Sequence, residues 1–370
     1  MRTPLTVIAV LVAGLFGLWL LTEDPEESRA APAAAPLDVI AQRVEELRDL
    51  RFGELPDPVT VTSAQARREG LADLDANYPA ERRSADEEIY TLLGLIEPGS
   101  DLREISGSLF GEGVAGYYDP SDGRLRVVEG AGTGNRVVEE MVLAHELTHA
   151  LEDQRFGLPV EPAATDDRTL ARSALFEGTA TALMYGYVSE HFSTEGTLGS
   201  LLSSAFEDTG DLPPFIQAQM LFSYLEGERF VSDLLRRAGG GWQLVDTAYE
   251  VRQPSSTEQI LHPDAYFDAD EPETVRIDRM LGPGWERVHA GTWGELQTRE
   301  LLGGAAEAAA GWGGDRYELW RSGGDSALIM RWVWDSPRDV DEFETRLRGV
   351  MEDRGAVTRR GGAVTLVVRG

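Results

Sequence analysis

Residues 135–154 read NRVVEEMVLAHELTHALEDQ, and the reading of the whole chain turns on this stretch. Val138, Met141, Val142, Leu147 and Leu151 supply the apolar positions of a buried helix, so the spacing predicts a helix from about Asn135 to Gln154. His145 and His149 stand four residues apart within it. On a helix that spacing stacks the two imidazoles on one face, within reach of one ion. Glu146 is rotated about 100° from His145, which places it beside such an ion and not on it.

There Glu146 can take a proton from a water activated by the metal. This is the H-E-x-x-H arrangement of zinc metalloproteases. Five histidines scattered at random over the 370 positions would produce the pattern only about 0.005 times, so the motif is specific. The bland alternative is a pair of histidines satisfied by hydrogen bonds on a half-buried helix.

A catalytic zinc needs a third protein ligand. The chain has no cysteine, which excludes thiolate ligands, disulfides and a cysteine nucleophile. Glu152 and Arg155 occupy the positions where H-E-x-x-H-x-x-G-x-x-H requires glycine and histidine, so that class is excluded too. The segment ALFEGTATAL, residues 174–183, carries Glu177 on a strongly apolar helix. A lone carboxylate there needs a partner, and metal ligation provides one. Thr181, one turn on, could hydrogen-bond it. Glu152, Asp153 and Glu190 are weaker rivals, and an exposed Glu177 is the plain alternative.

The stretch HELTHA, residues 145–150, resembles the active helix of thermolysin-like gluzincins. HELTHALEDQ (145–154), EGTAT (177–181) and STEQILHP (256–263) together resemble a little-characterised group of bacterial and archaeal zinc peptidase-like proteins. The likeness covers roughly residues 100–270. Thermolysin-like enzymes carry an aspartate four residues beyond the glutamate ligand, where this chain has Thr181, and their gap between histidine and glutamate is shorter. The resemblance implies a zincin fold whose sheet edge receives an extended peptide. It also implies zinc on His145, His149 and Glu177, with Glu146 as general base. Tyr117 and Tyr118 alternate faces on the adjoining strand, so one could line the cleft. A donor for the tetrahedral oxyanion is also required; His262 and Tyr224 are candidates, each more simply structural.

Around this centre the sequence predicts an α+β protein, with a mainly helical catalytic domain over 37–275 and a small α+β unit over 276–370. Ser84 followed by Glu87 signals a helix to about Ile96. Segments 114–118 and 124–128 flank the turn-forming Asp119-Pro-Ser-Asp-Gly123 and predict a β-hairpin. Long helices are expected over about 169–191 and 214–238. In the tail Thr292 is expected to cap a helix through Leu302. Strands at 316–321, 326–334, 356–360 and 363–369 should surround a helix at 338–353.

Arg2, the apolar run Leu5–Leu21 and the acids Glu23, Asp24, Glu26 and Glu27 describe a signal peptide or membrane anchor with the body outside. A Pro-, Ala- and acid-rich linker, residues 22–36, follows. Net charge is −30, and every basic residue is arginine. Such a surface repels nucleic acid; the expected partner is a peptide or protein substrate. Gly111–Gly116 matches G-x-G-x-x-G without the helix it needs. Gly324-Asp-Ser326 has no base beside it, and His191 and His289 read as surface residues. The expected activity is zinc-dependent peptide hydrolysis of the metalloendopeptidase kind. The competing reading is a surface-anchored binding protein that keeps the zincin fold without turnover.

Overall fold

The computed structural model describes residues 34–112, 116–129, 136–158, 163–192, 212–278 and 281–370. The N-terminal apolar run lies outside these residues, as does Val114 of the expected hairpin. No helix among the described residues is long and apolar enough to cross a membrane. The fold is α+β, with thirteen helices and two sheets among the described residues.

Helix α1 (Leu37–Arg48) precedes strand β1 (Pro58–Val61), then α2 (Ser63–Asn77), α3 (Ala80–Leu93) and α4 (Leu102–Glu112). Helix α3 begins at Ala80, four residues before the expected Ser84. The Pro79 carbonyl accepts from the N–H groups of Arg82 and Arg83, and Glu81 suits the positive end of the first turn. Strands β2 (Gly116–Asp119) and β3 (Arg124–Val128) form the expected antiparallel hairpin, with Tyr118 opposite Leu125. Its turn is closed by the Asp119 side chain, which accepts from the Ser121 N–H, and by Gly123 at φ 70°. Strand β1 was not anticipated; it pairs parallel to β3 and leaves β2 at the sheet edge.

Helix α5 (Arg136–Phe156) packs against that edge and against α1 and α6 (Asp166–His191). It is buried almost all round: His145, Glu146 and His149 share it with Met141, Ala144, Leu147, Ala150 and Leu151. Helix α7 (Pro214–Arg237) lies along α6. Short helices α8 (Gln243–Glu250), α9 (Thr257–Leu261) and α10 (Pro263–Asp268) close the helical part.

The tail forms one antiparallel sheet in the order β4-β5-β6-β8-β7. Its strands are β4 (Glu286–Gly291), β5 (Trp312–Ser322), β6 (Asp325–Trp334), β7 (Gly355–Arg360) and β8 (Ala363–Arg369), with helices α11 (Gly294–Leu301), α12 (Ala306–Ala309) and α13 (Pro337–Met351). Strand β4 is an addition to the sequence reading. Helix α11 is capped from a distance, because Asp315 accepts from the N–H groups of Trp293 and Gly294. Thr292 instead donates to the Asp315 carbonyl. The sheet's apolar side, with Trp332, Leu328 and Leu366, shares one core with Ile89, Tyr90 and Leu93 of α3.

Candidate metal centre

Helices α5, α6 and α7 bring five of the six expected site residues together. His145 Nε2 lies 3.1 Å from His149 Nε2 and 3.2 Å from Glu177 Oε2. The third side of the triangle, His149 Nε2 to Glu177 Oε2, is 3.4 Å. Ligand atoms at about 2.0–2.1 Å on a tetrahedral zinc stand about 3.3 Å apart, so the three atoms have the spacing of one face of such a site. All three residues are buried, Glu177 completely. Glu177 Oε1 lacks a hydrogen-bond partner, a costly state for a buried carboxylate oxygen unless a cation settles beside it. The donor set of two imidazoles and one carboxylate fits a catalytic zinc.

The electrostatics point the same way. Burial alone would lower the His149 pKa, but the Glu177 carboxylate overrides it and holds the ring charged. Burial would likewise raise Glu177, and the two imidazoles instead hold it well below the usual range. His145 is kept below its ordinary value by burial, against the pull of Glu177. Without a metal, a proton holds this group together, and an ion would have to displace it.

Glu146 stands beside the triangle. Its Oε2 accepts from the Tyr118 backbone N–H at 2.8 Å, while Oε1 has no partner. Burial pushes its carboxyl up to about 8 when no cation sits in the triangle; a bound ion would pull it down, toward the range that takes and returns a proton near neutrality. Tyr224, on α7, has its ring 6.3 Å from that of His145. Burial and the nearby Glu177 and Glu146 raise its hydroxyl well above 10, so it stays protonated, and Glu177 is its hydrogen-bond partner. Thr181 is buried one turn beyond Glu177 but does not bond it.

His262 is not part of this group. Its Nε2 pairs with Glu295 at 2.9 Å, and half of its side chain is exposed. The weaker ligand candidates are engaged elsewhere or exposed. Glu152 accepts from Arg48 and Tyr249, and Asp153 from the Tyr118 hydroxyl and the Leu158 N–H. Glu190 is exposed. Tyr117 and Tyr118 are both buried, with their hydroxyls tied to Glu69 and Asp153. His289 is no surface residue either: its Nε2 lies 3.0 Å from the Tyr317 hydroxyl, with its side chain 17% exposed.

Sequence reasoning missed what surrounds the triangle. Arg48, fully buried, bonds Glu152 and Asp246 and lies over the Trp242 ring, bracing the last turns of α5 against α1 and α8. A buried arginine facing acids far away in sequence leaves no local pattern to find.

Residues 279–370 match a family model described as Domain of unknown function (DUF8575). The match leaves out the helices that carry the triangle. No curated protein and no solved structure matches the chain.

Proposed function

We propose that the chain is a zinc-dependent peptidase acting on peptides or proteins outside the cytoplasm. The observation that carries this reading is the buried triangle of His145, His149 and Glu177, with Glu146 beside it and one carboxylate oxygen unengaged. Bound zinc would supply Lewis acidity to a water and to the scissile carbonyl at neutral pH. The residues would do the rest. The Tyr118 N–H holds Glu146 through Oε2, so the proton of the attacking water passes to Oε1. The same carboxyl then returns it to the departing amine. Tyr224, protonated and hydrogen-bonded to Glu177 at the edge of the triangle, is the donor assigned to the negative oxygen that develops on the carbonyl carbon. The apolar run Leu5–Leu21, with Arg2 before it and acids after it, supports a membrane-anchored or exported body.

The decisive experiment uses Glu146→Gln. Wild-type protein is expected to cleave members of a mixed peptide library and to stop when chelator removes its zinc. The variant is expected to hold one zinc per chain and cleave nothing. A fully active variant refutes the assignment, and a zinc-loaded wild type without turnover turns the reading into a binding protein.

A further inference from the structure

A second group of carboxylates lies where the helical part meets the C-terminal sheet. Glu258 belongs to α9, Asp270 follows α10 and Asp335 follows β6, and one oxygen of each lies within 4.8 Å of the other two. Glu258 sets this cluster apart from a chance meeting of surface acids. It is 6% exposed, and no donor among the described residues bonds its carboxylate. Its electrostatic neighbours are Glu295, Asp335, Asp270 and Asp167, every one an acid. Asp335 likewise faces Asp270, Asp339, Glu273 and Glu295. The nearby imidazole of His262 is already paired with Glu295.

Glu258 keeps only a narrow contact with water, and gathering further negative charges around a carboxylate so nearly buried is costly. The backbone nonetheless holds the group in place. Gln259 Nε2 donates to the Asp270 carbonyl at 2.6 Å, just after Ala269 turns the chain at φ 55°. The Glu273 N–H donates to the Gly313 carbonyl and the Asp335 N–H to the Gly311 carbonyl.

We propose that Glu258, Asp270 and Asp335 bind a calcium ion that fastens α9 and the segment after α10 to the end of β6. Oxygen-only ligands select a hard cation over zinc. Asp270 and Asp335 are exposed, which leaves room for several waters on the ion. Three ligands from separate, partly irregular segments suit the loose geometry of calcium better than the tight octahedron of magnesium.

The test is a titration of zinc-loaded full-length protein with calcium chloride or magnesium chloride, followed by calorimetry and thermal melting. One saturable calcium site is expected, with a Kd on the order of 10⁻⁴ M, together with a higher melting midpoint. Magnesium should bind at least tenfold more weakly. Glu258→Gln should weaken calcium binding at least tenfold. Asp270→Asn, at an exposed position, should do the same while keeping the melting profile of calcium-free wild type. Absence of a saturable calcium response in the wild type overturns the proposal, as does wild-type binding in Asp270→Asn. Magnesium binding as tight as calcium overturns the choice of ion.

Discussion

Gly178 and Gly227 touch where helices α6 and α7 cross, so closely that a methyl on Gly178 would lie 2.2 Å from the Gly227 carbonyl carbon. A methyl on Gly227 would in turn lie 2.2 Å from the Ala174 carbonyl oxygen. Gly178 follows Glu177 directly, and Gly227 is three residues beyond Tyr224. The crossing therefore sets where both side chains meet the α5 histidines. Gly178→Ala must push the helices apart, at a cost of about 1–3 kcal/mol or more. It is expected to lower the melting midpoint and reduce zinc per chain, as read by thermal melting and metal analysis. Normal zinc content with an unchanged midpoint would show that the contact is not needed.

Glu177→Ala removes the one carboxylate in the triangle. Metal analysis after dialysis is expected to find zinc lost from the variant and retained at one per chain in the wild type. Retention at wild-type levels would assign the third ligand to another residue.

Tyr224→Phe keeps the packing and deletes the hydroxyl. If that hydroxyl serves the developing oxyanion, kcat should fall about 10²–10³-fold, with zinc content and melting midpoint nearly unchanged. A normal kcat would leave Tyr224 as a packing residue beside Glu177.

Arg48→Ala strands Glu152 in the interior. Breaking a buried pair from one side costs about 3–5 kcal/mol, so the urea midpoint should drop steeply. Changing both members, Arg48→Leu with Glu152→Gln, should recover part of the loss. A double variant no better than the single one would mean that the other contacts of Arg48, to Asp246 and Trp242, account for its effect.

Asp73 provides a pH test away from the centre. Burial, with Asp119 nearby, raises its carboxyl from 3.8 to about 7, against the hydrogen bond from Asn77. Between those values the folded chain keeps a proton that the unfolded chain releases. Its contribution to stability therefore declines as pH rises from about 4 to about 7 and levels off above. Asp73→Asn should lack that decline, so its urea midpoint should rise relative to the wild type's as pH goes from about 4 to about 7. A difference independent of pH would rule this origin out.

The parts legible in the sequence were those whose logic is local. His145, Glu146 and His149 follow from one helical turn, and Glu177 from a carboxylate on an apolar helix. The long strands β6 and β8 were legible through their apolar runs, and β5 through the alternation of Tyr317 and Leu319 with Arg316 and Glu318. Strand β1 alternates over only four residues and begins with proline, too short a pattern to stand out, and β4 is largely solvent-facing. The bond from Tyr118 to Glu146 uses a backbone N–H, which no residue type announces. Asp315 caps a helix 21 residues upstream of it, where sequence proximity favoured Thr292. His262 sits in a motif-like stretch, yet its partner Glu295 is 33 residues away.

The core joining α3 to the tail's sheet has a practical meaning. The region matched by the family model is not a detachable module in this chain, because Ile89, Tyr90 and Leu93 wall off one side of it. A fragment starting near residue 279 would lose Tyr90 and Phe215 from the ring of Trp293, present that face to water and should clump. A fragment ending there would bare α3 in the same way. Dissecting the two halves for separate study therefore calls for transplanting residues 80–102 with the sheet, not for a cut at the boundary.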